Sequence, residues 1–398
     1  MKKLLSVLLC AAMLLCLLPL EARAAAAAWD GTVDISWYDP AQTEYTIDTP
    51  AKLAGLAALV NGMADPAAKA IVGDRSYLVS KKVDNVMLVG AGGGNVFDTV
   101  YTGGVDFAYK TIYLTADLDM GGRKAADGSW TGPNWTPIGG KFPMKPQEAS
   151  GDCLTLDTRF NGVLDGQGHT IYNLYCDRCA AKGFPYSMAV GVVGFLGGNA
   201  DYANGGNGEK TEAEFENGWQ PAVRNLVLGS GSIYGRRMVG GIVGRVGETS
   251  NGVGIENCGN SGTITSKDST GGIMGSGSVP ITACYNTGTI TAAGDDIGGI
   301  AGYTSQEIKN CYNTGAVTGT GAKNGVGGIV GRLSSAVSSY SNGKITGCLN
   351  TGAVTATSGT AAGAIVGQKT TANAAITRSY FKAGTCTQAI GGNPADGD

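Results

Sequence analysis

The chain has 398 residues, of which 66 are glycine and 15% are charged, with a formal net charge of -3. Glycine is therefore about 17% of the chain, against an ordinary usage near 7%. The 12 prolines are too few for collagen, and branched apolar residues recur too often for simple disorder. The sequence has a near-neutral charge and no basic run, which argues against nucleic acid as a partner.

Residues 1–24 have the pattern of a secretory signal peptide. Lys2 and Lys3 precede an apolar stretch over residues 4–20, which ends at a small-x-small cleavage site near Ala24. The stretch is shorter than the roughly 20 residues that cross a bilayer, and no later run is apolar enough. We expect a mature chain without a membrane span, secreted or held at the cell surface.

Residues 25–70 form an N-terminal segment that contains one amphipathic helix. Thr49 stands at its N-cap, Pro50 at its first position and Gly62 just past its end. The apolar positions of this helix are Leu53, Leu56, Leu59 and Val60. We expect it to cap the open apolar end of the β-structure that follows.

Residues 71–221 are interpreted as irregular first coils with loop insertions. Trp130, Trp135 and Trp219 flank segments that are long and polar enough to be loops, so they are candidate ligand contacts, although most tryptophans are simply packed. The single histidine, His169, lies in a DGQGHTI string that favours a corner between two strands over a catalytic base.

Residues 222–398 repeat two short elements. The first is a glycine-rich block, at residues 240–244, 271–275, 298–302, 327–331 and 363–367. The second begins with cysteine and places asparagine two residues later: Cys258 and Asn260, Cys284 and Asn286, Cys311 and Asn313, Cys348 and Asn350. An isoleucine lies three residues before each cysteine: Ile255, Ile281, Ile308 and Ile345.

The repeated unit is too short and too rich in glycine for a pair of helices. Its segments are β-branched and broken every few residues, which favours short strands, about three in each unit. Such a unit buries its apolar face only when copies stack, with each strand parallel to its counterpart in the next coil. The sequence thus predicts an all-β solenoid, a parallel β-helix.

Stacking predicts ladders of identical side chains. We expect the four asparagines to occupy a turn with left-handed backbone, each amide bonded to its counterpart in the next coil. The four cysteines fit buried free thiols better than disulfides, because stacked side chains point the same way. Cys176 and Cys179 form a lone CxxC, where a local bridge that could include Cys153 is favoured over metal binding.

The last copy departs from the pattern. Ser379 replaces the cysteine, Phe381 the asparagine and Ala383 the glycine. Terminal repeats are often atypical because they cap a stack. The alternative is that the chain is part of a longer polypeptide.

Several motifs in chain order resemble a known family. They are LTADLDM (114–120), WTPIG (135–139), FNGVLDGQGHTIYNL (160–174) and then the repeated GGIVG and CYNTG strings. This order resembles bacterial secreted and surface proteins with GLUG-type repeats on a pectate-lyase-like, right-handed β-helix. The resemblance implies fold and location and says little about activity.

The sequence offers no catalytic set, metal site or cofactor. Asp117 and Asp119, and the adjacent Asp295 and Asp296, lack the further carboxylate or basic residue of a glycosidase site and are read as solvated turn residues. We expect a non-catalytic, adhesin-like or spacer module that binds a carbohydrate or a surface protein. The alternative is a polysaccharide lyase or glycoside hydrolase on the same scaffold, with its site between residues 121 and 218.

Overall fold

A computed structural model describes thirteen stretches of the chain. They are residues 27–62, 81–89, 95–102, 104–105, 107–143, 155–178, 188–197, 219–247, 254–321, 325–334, 343–357, 362–371 and 373–392. The predicted signal peptide lies outside these residues. No helix among the stretches described is long and apolar enough to cross a membrane.

The predicted N-terminal helix is confirmed. It runs over Pro50–Asn61, Thr49 accepts a hydrogen bond from the Lys52 amide, and Gly62 ends it with a φ of 45°. The helix is less amphipathic than expected, because ten of its twelve residues are buried. The preceding segment covers its outer side, where the Asp34 amide donates to the Ala51 carbonyl.

Five sheets run along the molecule, and each complete coil of the repeat region adds one strand to each of them. Sheet 1 contains Glu44–Ile47, Thr111–Leu114, Val163–Asp165, Ala222–Arg224, Gly254–Glu256, Ile281–Thr282, Glu307–Lys309, Lys344–Thr346 and Ala375–Thr377. Sheet 2 contains Leu118–Asp119, Thr170–Tyr172, Val227–Leu228, Gly259–Asn260, Tyr285–Asn286, Tyr312–Asn313, Leu349–Asn350 and Tyr380–Phe381. Sheet 3 contains Leu174–Asp177, Gly231–Tyr234, Thr263–Ser266, Ile290–Ala292, Val317–Gly319 and Val354–Ala356.

The last two sheets are joined by the glycine-rich block. Sheet 4 contains Gly140–Pro143, Thr155–Thr158, Met188–Val190, Arg237–Gly240, Asp268–Gly271, Ile297–Gly298, Val326–Gly327 and Ala362–Gly363. Sheet 5 contains Val193–Leu196, Val243–Val246, Met274–Ser276, Ala301–Thr304, Val330–Leu333, Val366–Lys369 and Ile390–Gly392. Two antiparallel hairpins stand apart, Lys81–Val89 with Asn95–Thr102 and Arg123–Lys124 with Trp130–Thr131.

Neighbouring strands are parallel in all five sheets, except at the two antiparallel pairings that start sheet 4. The fold is therefore a parallel β-helix, as the repeats predict. Each full coil holds five short strands, whereas the sequence suggested three. The extra breaks come from the glycine-rich block, which turns between sheets 4 and 5, and from a left-handed residue before sheet 2.

The interior is built of aligned apolar columns. The isoleucines three residues before the cysteines pair directly in sheet 1, Ile255 with Ile281, Ile308 and then Ile345, and each is at most 1% exposed. A second column in sheet 3 passes through Ile264 and Ile290. The predicted register of the repeats is confirmed by these pairs.

Candidate functional site

The four repeat asparagines form a hydrogen-bonded ladder inside the coils. Asn260 Nδ2 donates to Asn286 Oδ1 at 2.7 Å, and the two following steps, to Asn313 and to Asn350, are 2.8 Å each. The second amide hydrogen of each asparagine goes to a glycine carbonyl two residues on, such as Gly288. All four side chains have no exposed surface. The ladder thus satisfies a column of amides that would be costly to bury alone.

The ladder explains why glycine occurs in both repeated elements. A methyl group on Gly272 would lie 2.4 Å from Cγ of Asn286, and one on Gly299 would lie 2.5 Å from Cγ of Asn313. On the other side, a methyl group on Gly288 would lie 3.0 Å from Nδ2 of Asn260. Each amide is therefore held between the backbones of two glycine positions.

The left-handed backbone expected at the asparagines lies elsewhere. Asn260 and Asn286 end extended strands of sheet 2. The left-handed position is the one before the cysteine, with φ of 52° at Asn257 and 55° at Ala283. The backbone bends at that position because it must turn to enter sheet 2. The expectation of a left-handed backbone at the asparagines is therefore wrong, whereas the expected amide ladder is present.

The four repeat cysteines also form a column and are free, buried thiols. The Cys258 amide donates to Cys284 Sγ at 3.4 Å, and each thiol donates to the carbonyl two residues earlier, for example Thr282. Burial raises the pKa of Cys284 well above its ordinary value. Thiols that stay protonated are poor nucleophiles, so this column is structural.

The final coil keeps the hydrogen bonds of the cysteine column without its sulfur. Ser379 Oγ accepts from the Cys348 amide at 3.2 Å and donates to the Thr377 carbonyl at 3.1 Å. Cys176, of the lone CxxC, is fully buried. Its expected bridge partners, Cys179 and Cys153, lie outside the described residues.

The three candidate tryptophans occupy different surroundings. Trp135 is 1% exposed, and its Nε1 lies 3.2 Å from the Gly191 carbonyl and 3.3 Å from that of Val192. It therefore offers no surface to a ligand, which corrects its place among the candidates. Trp130 is half-buried in a small hairpin, and Trp219 is half-buried where the chain enters sheet 1.

Trp219 belongs to an aromatic pair that the sequence did not indicate. Its ring centroid lies 5.7 Å from that of Tyr109, which is 42% exposed and has a left-handed φ of 62°. Trp219 Nε1 donates to the Asn161 carbonyl at 2.9 Å. We call Tyr109, Trp219 and Asn161 the aromatic shelf.

The aromatic shelf is drawn from three successive coils at one corner. Tyr109 lies two residues before Thr111 and Asn161 two before Val163, and these two strand residues pair in sheet 1. Asn161 is 5% exposed, and its Oδ1 has no hydrogen-bond partner among the described residues. A buried acceptor without a partner is uncommon in folded proteins, and this one belongs to the residue whose backbone carbonyl holds Trp219.

His169 ties a corner to the previous coil. Its Nδ1 lies 3.1 Å from Asp117 Oδ1, and the same carboxylate oxygen accepts from the Thr170 amide at 3.0 Å. The turn itself contains Gln167 and Gly168, both with positive φ. The position therefore agrees with the structural role expected for this histidine.

The repeat carboxylates are less isolated than expected. Asp296 Oδ2 bonds to Arg332 of the next coil at 2.8 Å, and the negative charges of Asp268 and Asp295 act on the same carboxyl. Burial raises the pKa of Asp296 to about 6, and Arg332 opposes this shift. The interpretation of Asp296 as a solvated turn residue is wrong, since it is 5% exposed and joined by a further carboxylate and a base.

The described residues contain no group of three or more histidine, cysteine or acidic side chains that could hold a metal ion. The interior of the coils is filled, and the aromatic shelf is one candidate site. A second is Asp296 with Asp268, Asp295 and Arg332, which we call the Asp296 cluster.

Comparison with known proteins gives two distant similarities. No family model matches it, so the resemblance to GLUG-type repeat proteins stays a prediction. Halomucin of Haloquadratum walsbyi is 30% identical over 162 residues, which are 41% of this chain and 1% of that protein's length. A solved structure from Bacteroides ovatus, provisionally described as an immunoglobulin A1 protease, has 22% identity and a TM-score of 0.44 over 71% of this chain and 70% of its own.

Proposed function

We propose that the protein is an exported, non-catalytic β-helix module that binds glycans or surface proteins. The observation that carries this proposal is the aromatic shelf, where the exposed ring of Tyr109 packs against the half-buried ring of Trp219. The apolar faces of such rings stack on sugars.

The rest of the molecule supports a scaffold role. The coils are filled by isoleucine, cysteine and asparagine columns, and a rigid stack holds outward groups at fixed spacing. The matched segment is about 1% of halomucin's length. Such a match is expected when a similar segment is one module within a very long chain. The signal-like N-terminus supports export of such a module.

A glycan array and a cell-binding screen on residues 25–398 test the proposal. Tyr109→Ala and Trp219→Ala each remove one ring of the shelf and should reduce binding to any ligand found there by about tenfold. Tyr234→Ala is the matched control, because Tyr234 is an equally exposed tyrosine, 40%, on sheet 3. Ligands that bind all three variants alike would contradict a role for the shelf.

The second candidate function is a polysaccharide hydrolase, and the Asp296 cluster favours it. A carboxyl with a pKa near 6 beside two further carboxylates has the properties of a general acid. Incubation with a polysaccharide panel tests this directly. We expect no release of reducing or unsaturated sugar, and turnover abolished by Asp296→Asn would establish the enzyme instead.

A further inference from the structure

One outward column of sheet 5 collects arginines that are far apart in the sequence. The strand pairs align Phe195 with Arg245, Arg245 with Ser276, Ser276 with Tyr303, and Tyr303 with Arg332. A bridge between Phe160 and Leu196 sets Arg159 next to Phe195 at the start of the same column. We call these six residues the arginine column: Arg159, Phe195, Arg245, Ser276, Tyr303 and Arg332.

The guanidinium groups of this column are held on aromatic rings. Arg159 lies 4.5 Å and Arg245 lies 5.3 Å from the centroid of Phe195, which is 1% exposed between them. Arg332 lies 4.7 Å from the centroid of Tyr303. Stacking fixes the plane of each guanidinium, so less freedom is lost when its N–H groups bind a ligand.

Two of these arginines keep unused hydrogen-bonding capacity. The Nε atoms of Arg159 and Arg332 are buried and have no hydrogen-bond partner among the described residues. An anion outside the coils would contact the terminal N–H groups of these guanidiniums, which match carboxylate and sulfate groups geometrically. Arg332 already binds Asp296, so its free groups are those turned away from that carboxylate.

From this column we infer that sheet 5 binds an anionic glycan, a polymer carrying carboxylate or sulfate groups, laid along the axis of the β-helix. The inference extends the proposed function, because it assigns a ligand class to a surface other than the aromatic shelf. Coils repeat at about 4.8 Å, so the arginines are spaced roughly 10 Å and 14 Å apart along the column. Ser276 lies between Arg245 and Arg332, in the longer of these two intervals, and carries no charge.

This spacing favours a sparsely charged polymer over nucleic acid. Duplex DNA carries one negative charge per about 1.7 Å, far denser than the arginines. Asp268 in the adjacent sheet 4, and Asp295 in the bend that precedes the next strand of that sheet, would also repel a dense polyanion. A glycan with one anionic group every few sugars has a charge spacing closer to that of the arginines and is repelled less by these carboxylates.

Ser276 allows a test that disturbs no interaction of the folded chain. Its side chain lies half-buried in the column between Arg245 and Tyr303. The variants are Ser276→Glu, Ser276→Gln and Ser276→Arg, which differ mainly in charge. Thr318→Glu is the control, since Thr318 occupies an outward position in sheet 3.

Binding is measured by fluorescence anisotropy with labelled κ-carrageenan and hyaluronate fragments, at low and at high salt, with dextran as the neutral control. We expect Ser276→Glu to weaken binding about tenfold and Ser276→Arg to strengthen it about fivefold, and both effects to shrink at high salt. Ser276→Gln and Thr318→Glu should stay within about twofold of the parent. κ-Carrageenan carries only sulfate groups and hyaluronate only carboxylate groups, so the two polymers separate the two anions.

Three results would overturn the inference: no binding of the parent to either polymer, equal loss with Thr318→Glu, or tighter binding of duplex DNA than of both glycans. Asn161 of the aromatic shelf lies two residues after Arg159, so the shelf adjoins that end of the column, whereas Ser276 lies three coils further along. Failure at the arginine column therefore does not decide the shelf, and failure at the shelf does not decide the column.

Discussion

Replacing Asn286 with alanine should cost far more stability than any outward substitution in the same coil. Asn286 Nδ2 donates to Asn313 Oδ1 at 2.8 Å and to the Gly288 carbonyl at 2.9 Å, and Oδ1 accepts from Asn260 at 2.7 Å. Truncation removes three buried hydrogen bonds and leaves their partners without replacements. At about 1–3 kcal/mol for each of the three stranded groups, we expect a loss of about 3–9 kcal/mol.

Equilibrium unfolding of residues 25–398 in urea, followed by circular dichroism, measures this loss. Thr291→Ala is the matched control, because Thr291 faces outward from sheet 3 in the same coil. We expect it to change the free energy of unfolding by no more than about 0.5 kcal/mol. If Asn286→Ala costs no more than Thr291→Ala, the amide ladder does not stabilise the coils as described.

A double-mutant cycle sharpens the result. Asn286 and Asn313 are bonded directly, so their alanine variants should couple by about 1–3 kcal/mol, whereas Asn260 and Asn350 are three coils apart and should be additive within about 0.5 kcal/mol. Equal coupling in both cycles would point to a general loosening of the stack. Coupling confined to the neighbours would identify the ladder itself.

Three further changes test other parts of the structure. Burial raises the pKa of Asp296 from 3.8 to about 6. Between pH 3.8 and pH 6 the folded protein therefore keeps a proton on Asp296 that the unfolded protein has lost. The free energy of unfolding falls as pH rises through this range. Asp296→Asn should therefore become more stable than the parent by up to about 3 kcal/mol between pH 4 and pH 7, as measured by urea unfolding at both values. Asn61→Ala should cost about 3 kcal/mol or more and speed proteolysis of the N-terminal segment, because its buried amide bonds to Pro137, Gly139 and Thr158. Ala283→Gly should raise the free energy of unfolding by up to about 1 kcal/mol, since Ala283 has a φ of 55°.

Each of these three has a distinct contrary result. If the free energy of unfolding of Asp296→Asn changes with pH as that of the parent does, the buried carboxyl is not the cause of the pH dependence. Unchanged proteolysis of Asn61→Ala would mean that the helix is held by apolar packing alone. A destabilised Ala283→Gly would show that the left-handed position costs the chain nothing.

The repeats predicted much of the fold because their signals are local and periodic. Thr49, Pro50 and Gly62 mark the helix ends by capping chemistry that operates within a few residues. The isoleucines at fixed distance from each cysteine align the coils without knowledge of the turns between them. The number of strands was less accessible. The left-handed residue before sheet 2 is asparagine in coils such as those of Asn257 and Asn310 but alanine at Ala283, so the sequence does not mark this bend uniformly.

The candidate surfaces were much harder to predict. Arg159, Arg245 and Arg332 are separated by 80 or more residues, and only the register of sheet 5 brings them into one column. Tyr109 and Trp219 meet across two coils through insertions that vary in length. Tryptophan type alone could not separate the buried Trp135 from the half-exposed Trp219, because burial depends on packing from distant strands.

The parallel stacking of the coils is the central claim, and a distance ruler along sheet 1 tests it most directly. Tyr113, Glu256, Thr282 and Thr377 lie in one outward column, and Thr377 is three coils from Thr282, four from Glu256 and seven from Tyr113. Each of these positions is replaced by a ketone-bearing residue that takes a spin label, and each label is paired with one at position 377. Pulsed electron resonance should give backbone separations of about 14 Å for Thr282, about 19 Å for Glu256 and about 34 Å for Tyr113. Distances that rise linearly with coil number agree with the β-helix, and distances that do not increase with coil number would contradict it.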